Sequence, residues 1–317
     1  MTANQNQQHA PNAVKSAKRT PTFLIIGVQK AGTTSIYNYL KQHPQIYMSP
    51  VKETGFFERD WEQTPADVQR RKKNGIVTWD RYQQLFDGAT EQHLALGEAS
   101  PNYMLNYRSS AEQIQRRLPE AKLIAVLRNP VQRACSDYLM HLRDAVGKPT
   151  PLAEQVRSRG HASYMLLKGK YYEPLKYFMD RFGRSQVDVF LYDDLRQNSQ
   201  GFMQELYRSV GVSPDFIANT SKQAQTAKVP KNQTVNRLLK TKNPIRTVAT
   251  GMMQIVPKPL RNQLRAGLIA LNSQDKTQAK FTEEDIILLH QYYRDDILQL
   301  QDLLQRDLSA WLEENRQ

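Results

Sequence analysis

Cysteine and long apolar runs are what this chain most clearly lacks. Cys135 is its only cysteine, so an intrachain disulfide is excluded and a reducing compartment fits the composition. No run of about eighteen apolar residues occurs anywhere, which excludes a recognisable membrane-spanning helix in this sequence. Residues 1–20 are polar and basic without an apolar signal core. We therefore expect a disordered basic tail and a cytoplasmic location.

Acidic residues are missing from one long segment. The formal net charge is +13, and no Asp or Glu occurs between Phe216 and Gln274, whereas cations and apolar residues alternate there. Two interpretations of this basic segment (residues 216–274) stay open. It is either a solvated face that keeps the protein soluble, or a contact surface for an anionic membrane or a soluble polyanion. Nucleic acid is not expected, because no aromatic residue follows Phe216 in the segment to stack on bases.

The remaining chain alternates strand-like and helical patterns. Apolar runs predict strands at residues 23–27, 93–97, 122–127 and 187–192. Helical patterns lie at residues 34–42, 109–118, 131–143, 172–182 and 199–210, and a long one runs from a Thr282 cap to Trp311. We expect one α/β domain over residues 21–317, with a phosphate-loop-like parallel sheet, helices on both faces and a C-terminal helical segment. Ligands of such a sheet bind at the carboxyl ends of its strands.

The first predicted strand ends in a loop of the kind that binds phosphate. Gly27 ends the apolar run, and residues 29–35 lead into a helix that starts at Thr33 or Thr34. Unpaired N–H groups and a positive macrodipole at a helix N-terminus hold an anion. In nucleoside-triphosphate loops a lysine follows the second glycine. Here Thr33 follows Gly32 and the lysine is Lys30, inside the loop, which implies a shorter anion.

A second anion site is predicted after the strand at residues 122–127. Asn129-Pro130 ends this strand and starts a helix, so Arg128 lies at the strand end and Ser136 about two turns along the helix. A guanidinium fork with a hydroxyl binds a phosphate monoester. Two phosphate sites at two parallel strand ends suit a nucleotide with phosphates on opposite sides of its ribose.

Five motifs follow one another along the chain, at residues 29–35, 52–57, 79–86, 97–103 and 127–138. In this order they resemble the signatures of sulfotransferases that use 3′-phosphoadenosine 5′-phosphosulfate (PAPS), and most nearly the bacterial and heparan-sulfate-type branch. The resemblance implies transfer of a sulfuryl group from PAPS to a hydroxyl or amine of a carbohydrate, lipid-linked sugar or small metabolite, which releases adenosine 3′,5′-bisphosphate. PAPS is then the co-substrate, and no metal site is expected.

The resemblance also implies roles for individual residues. Arg128 and Ser136 bind the 3′-phosphate, and Glu53 is the general base that takes the acceptor's proton. Lys52 neutralises the sulfuryl group or orients the acceptor, and Glu98 and Ser100 are expected in the cleft. The 5′-phosphosulfate is cradled by Lys30, Ala31, Gly32, Thr33, Thr34 and Ser35. Histidine alternatives for the base are His43, His93, His141, His161 and His290.

Several points stay open at this stage. Heparan-sulfate-type relatives carry a glycine-rich basic loop before the final helix, whereas residues 272–280 contain no glycine. Lys276 or Lys280 are the candidates to contact the phosphate in place of that loop. Residues 168–172 either line the acceptor cleft or simply start a helix. The acceptor itself is not identified by the sequence. Two other functions are compatible with parts of the sequence: a phosphate-loop kinase, which the displaced Lys30 argues against, and a non-catalytic polyanion-binding protein, for which Glu53 would have no purpose.

Overall fold

A computed structural model of the chain describes residues 19–144, 150–220 and 281–313, together with isolated positions between 229 and 274. The predicted tail (except residues 19 and 20), most of the basic segment, Lys276 and Lys280 lie outside the described residues. The predictions made for them, and the prediction of a single domain over residues 21–317, therefore stay predictions.

The described residues form a five-stranded parallel sheet flanked by helices, so the predicted fold class is confirmed. The strands are β1 (Phe23–Gly27), β2 (Ile46–Met48), β3 (Ala95–Ala99), β4 (Lys122–Leu127) and β5 (Val187–Leu191), in the order β2-β3-β1-β4-β5. β1 lies at the centre, paired with β3 on one side and β4 on the other. All five of its residues are buried, as expected for a strand covered on both faces. The loops that follow β1, β3 and β4 consequently meet at one edge of the sheet.

The helices fill both faces of this sheet. They are α1 (Thr33–Leu40), α2 (Ala66–Arg70), α3 (Trp79–Gln83), α4 (Tyr107–Arg117), α5 (Pro130–Asp144), α6 (Leu152–Arg159), α7 (Tyr164–Leu167), α8 (Tyr172–Phe182), α9 (Tyr192–Gln197), α10 (Ser199–Ser209) and α11 (Glu283–Leu304). Val229–Pro230 pairs antiparallel with Ser273–Gln274. Among the residues that the structure describes, no helix is long and apolar enough to span a bilayer.

The C-terminal helix begins where the sequence predicts and ends earlier. Thr282 accepts a hydrogen bond from the Asp285 N–H at 3.0 Å, and the Asp285 carboxylate accepts one from the Thr282 N–H at 3.0 Å. α11 ends at Leu304 because Gln305 takes a left-handed conformation, and a separate short 3₁₀ helix follows at Ser309–Trp311. The predicted pattern to Trp311 thus covers two elements rather than one.

Candidate active site

The phosphate loop between β1 and α1 has the geometry of an anion cradle. Its first residue is tied to the neighbouring strand, since the Val28 N–H donates to the Val126 carbonyl at 3.0 Å. Gly32 precedes α1 with φ at 79°, and a Cβ at this position would lie 2.9 Å from the Tyr192 ring. Both the left-handed backbone and the lack of space therefore require glycine. No side chain in the described residues caps α1, which leaves its first-turn N–H groups to an anion.

Lys30 occupies an unusual backbone conformation inside this loop. Its φ is 74°, a region that lysine rarely adopts. This conformation costs on the order of 1 kcal/mol or more and persists where the surroundings enforce it. The Arg128 guanidinium fixes it, donating to the Lys30 carbonyl at 3.1 Å. The Lys30 ammonium lies 3.6 Å from the Met140 sulfur on α5. Because Ser136 lies one turn before Met140 on the same helix face, Lys30 contacts the face that carries Ser136.

Arg128 extends from the end of β4 into the same region. Its guanidinium lies 4.8 Å from the centre of the Tyr192 ring, and the Tyr171 hydroxyl donates to its carbonyl at 2.8 Å. Burial lowers the pKa of Arg128, an effect that a bound anion would oppose. Its Nε is buried without a hydrogen-bond partner in the described part of the chain. A buried guanidinium N–H of this kind is suited to an anionic ligand.

Glu53 lies on the loop that follows β2, beside the end of β3. Its N–H donates to the Ala99 carbonyl at 2.9 Å, which places it at the carboxyl end of β3, next to β1. Its side chain is 48% exposed, and the Lys52 ammonium lies 2.5 Å from one of its oxygens. The φ of Glu53 is 60°, again left-handed. Within the described residues three non-glycine residues have positive φ, namely Lys30, Glu53 and Gln305, and the last of these simply ends α11.

A buried hydrogen-bond network supports the Glu53 loop from below. The Glu98 carboxylate is fully buried and accepts from the Thr54 hydroxyl at 3.1 Å, the Tyr103 hydroxyl at 2.9 Å and the Ser100 hydroxyl. Ser100 in turn accepts from the Gly55 N–H at 3.0 Å. Burial raises the pKa of Glu98, while the three hydroxyl donors act in the opposite direction. The expectation that Glu98 and Ser100 lie in the cleft is therefore wrong: both side chains are buried, and they hydrogen-bond to Thr54 and Gly55 of the loop.

Two residues that the sequence did not single out hold this loop from the other side. The Lys72 ammonium donates to the Gly55 carbonyl at 2.8 Å, and the Asn74 amide donates to the Thr54 carbonyl at 2.9 Å. Lys72 also lies 3.9 Å from the centre of the Trp61 ring, and burial lowers its pKa to about 8. In the sequence Lys72 belongs to a run of four cations, a pattern typical of a solvated surface, and gives no signal of this role.

The histidine alternatives differ in their surroundings. His43 is buried against Tyr207 and bonded to the Ser213 carbonyl at 2.9 Å, and His93 bonds to Thr90, so both have structural partners. His141 lies on α5 beside Met140, with its Nε2 3.9 Å from the Asp137 carboxylate. Burial lowers the pKa of His141. His141 shares α5 with Ser136, one of the candidates for binding the 3′-phosphate.

Residues 168–172 start a helix and also contact the phosphate loop, whereas their role in lining the acceptor cleft stays a prediction. The Lys168 ammonium donates to the Gln29 side chain of the phosphate loop at 2.6 Å, whereas Lys170 donates to the Tyr292 carbonyl of α11 at 2.6 Å. Tyr172 is the first residue of α8. The segment thus starts a helix and also places one lysine against the loop.

Comparisons with known proteins agree with this geometry. A model of the sulfotransferase family matches residues 21–215. The membrane-associated sulfotransferase kil1 of Dictyostelium discoideum is 30% identical over 169 residues, which are 53% of this chain and 28% of that protein. Human heparan sulfate glucosamine 3-O-sulfotransferase 6 is 32% identical over 133 residues, which are 42% of this chain and 34% of that protein. The chain therefore spans about a third or less of these relatives' length.

One solved structure resembles the fold over nearly the whole chain. It is the crystal structure of a sulfotransferase from Alicyclobacillus acidocaldarius, with a TM-score of 0.67 and 27% sequence identity. The similarity covers 93% of this chain and 100% of that one. The likeness includes the phosphate-loop sheet and the helices that surround it.

Proposed function

The chain belongs to the sulfotransferase family, and we propose that it transfers the sulfuryl group of PAPS to a hydroxyl or amine of an acceptor. The observation that carries this proposal is the left-handed backbone conformation of Lys30 and Glu53. Two loops at the same edge of the sheet, one after β1 and one after β2, each hold one charged residue in a left-handed conformation, and the second loop is bonded through the Glu53 N–H to the end of β3. Such conformations persist where the surroundings enforce them, and they cluster at functional sites.

The proposed donor site joins the two predicted anion sites. The 5′-phosphosulfate lies on the loop of Lys30, Ala31, Gly32, Thr33, Thr34 and Ser35, where N–H groups and the ammonium neutralise it. The 3′-phosphate lies between Arg128 and Ser136, in reach of the buried Arg128 Nε. The contact of Lys30 with the Ser136 face of α5 supports a single nucleotide that bridges both sites.

The proposed reaction needs one proton acceptor and one cation at the leaving group. Glu53 takes the proton of the acceptor hydroxyl or amine as the acceptor atom bonds to sulfur. The bond between sulfur and the bridging phosphate oxygen breaks, and adenosine 3′,5′-bisphosphate leaves with the negative charge, which Lys30 stabilises. Lys52, paired with Glu53, orients that carboxylate and neutralises the sulfuryl oxygens. As in phosphoryl transfer, catalysis rests on positioning and electrostatics.

The acceptor is proposed only by class. The exposed Glu53 carboxylate suits a carbohydrate, a lipid-linked sugar or a small metabolite, which reaches the base from solvent. Several relatives are named for heparan sulfate, a glycan, and this favours a carbohydrate hydroxyl or amine among the three.

The nucleotide that the protein prefers in the absence of metal ions distinguishes a sulfotransferase from a kinase. We expect calorimetry in EDTA to give tight binding of adenosine 3′,5′-bisphosphate and weak binding of ATP. The physical reason is that a kinase uses Mg²⁺ to bridge the β- and γ-phosphates, whereas Lys30 and the loop N–H groups are enough for one phosphosulfate. Titration of adenosine 5′-monophosphate is the control, since it lacks the 3′-phosphate that Arg128 and Ser136 bind. A preference for ATP, or a strict need for Mg²⁺, would contradict the proposal.

We also propose peripheral contact between the basic segment and an anionic membrane, on an otherwise cytoplasmic protein. Ten cations alternate with apolar residues there, and each adds about 1 kcal/mol near an anionic bilayer. Cosedimentation with phosphatidylserine vesicles should fall steeply from low to physiological salt. It should fall again when Lys240, Lys242 and Arg246 are changed to Gln. The control changes exposed Arg70, Arg71 and Lys73 to Gln, with the same loss of charge. No binding even at low salt would contradict membrane contact and leave the segment a solvated face or a site for a soluble polyanion.

A further inference from the structure

Lys168 is held rigidly against the phosphate loop. It follows α7, and α7 is anchored at two points: the Arg133 guanidinium donates to the Met165 carbonyl, and the Tyr293 hydroxyl donates to the Leu166 carbonyl at 2.8 Å. The next residue, Gly169, packs so closely on Tyr293 that a Cβ would lie 2.8 Å from its ring. The backbone that carries Lys168 is therefore fixed on both sides.

The Lys168 ammonium is also fixed, by charge. Its Nζ lies 3.8 Å from the Asp137 carboxylate, which is fully buried and paired with the fully buried Arg133 at 2.9 Å. The side chain of Lys168 is 14% exposed. Burial lowers its pKa, while the charges of Asp137 and Glu53 favour the ammonium. Lys168 thus lies between the buried ion pair on α5 and the region of Glu53.

The bond from Lys168 to Gln29 determines how the Gln29 amide is turned. An ammonium has three donors and no acceptor, so the oxygen of the Gln29 amide must face it. The NH₂ group of Gln29 then points away from Lys168. Gln29 directly precedes Lys30 in the loop, and a hydrogen bond to an ammonium polarises the amide and makes its NH₂ a stronger donor.

We propose that Lys168 is a positioning residue, which fixes the Gln29 amide so that its NH₂ donates to the sulfuryl oxygens of bound PAPS. This inference rests on the proposed function and assigns the sulfuryl end of the donor site to a pair of residues on two separate elements. The pair gives the transferred group a donor next to Lys30 that does not depend on the acceptor.

Two nucleotides isolate this contact without any acceptor. Adenosine 3′,5′-bisphosphate and PAPS differ by the sulfuryl group, so calorimetry of both on the full chain separates contacts to that group from contacts to the phosphates. Lys168→Met should weaken PAPS about tenfold or more, the scale for a donor lost from a charged group, and change bisphosphate affinity less than about twofold. Gln29→Ala should have the same effect. The double variant should bind PAPS no more weakly than either single variant, because the two residues act as one unit.

Controls keep the outcome clear. Lys168→Arg preserves a donor for the Gln29 oxygen and should keep more PAPS affinity than Lys168→Met. Lys176→Met removes an exposed lysine that pairs with Asp180, and both affinities should be unchanged. Equal loss of both nucleotides in Lys168→Met, or additive loss in the double variant, would overturn the inference. Wild-type protein that binds neither nucleotide would instead overturn the proposed function, and the inference with it.

Discussion

Glu53→Gln should lower turnover by about 10²- to 10⁴-fold, the range for losing a general base, and leave PAPS affinity nearly unchanged. The amide keeps the shape of the side chain and cannot take the acceptor's proton. It also keeps an oxygen toward Lys52, so the loop geometry should survive. Turnover is measured as transfer of ³⁵S label from PAPS to an acceptor found in a cell extract, and affinity is measured by calorimetry.

Glu62→Gln is the matched control for this experiment. Glu62 is also an exposed carboxylate, paired with Arg117, but it lies outside the proposed site. We expect it to keep full turnover. If Glu53→Gln kept near-normal turnover and His141→Asn abolished it, the base would be the histidine on α5 and the role given to Glu53 would be wrong.

Lys30→Ala should lower turnover by roughly two to three orders of magnitude, the scale for removing one charge-stabilising donor. The charge that develops on the leaving phosphate would then face the loop N–H groups alone. Bisphosphate binding should weaken less, because Arg128, Ser136 and the loop backbone remain. The measurements are again ³⁵S transfer and calorimetry, made on the same preparation.

Lys41→Ala controls for the loss of a lysine near α1. The Lys41 side chain is exposed just after the end of this helix, away from the phosphate loop. Turnover of the Lys41→Ala variant should therefore match the wild type. Alanine also changes the backbone preference at a left-handed position, so Lys30→Asn, which tolerates that conformation, should show the same loss. Wild-type turnover in either Lys30 variant would contradict the assignment of the loop.

The central sheet was predictable because its signals are local. β1 and β4 have the predicted bounds, since each is a continuous apolar run with a clear end. β3 lies two residues later than predicted: Leu94 is 59% exposed, and pairing begins at Ala95. β2 has three residues and was missed, because so short a run has no readable period.

The sequence predicts the motif residues of the site, but it does not predict the hydrogen bonds that hold the two loops in place. The phosphate loop and Arg128 could be placed because a strand end and a helix start are visible in the sequence. The hydrogen bonds from Lys72 to Gly55 and from Lys168 to Gln29 join residues 17 and 139 positions apart in the chain, and no local pattern predicts either pairing. The left-handed φ of Glu53 was also hidden, since no glycine marks that position.

The most direct test of sulfuryl transfer is to follow the ³⁵S label from PAPS into an acceptor. Purified wild-type protein and its Glu53→Gln variant are incubated with ³⁵S-labelled PAPS and a fractionated cell extract. We expect the wild type to move ³⁵S into an acceptor fraction with equal release of adenosine 3′,5′-bisphosphate, and the variant to lose this transfer. Tight binding of PAPS with no labelled acceptor from any fraction, or equal transfer by both proteins, would contradict the account.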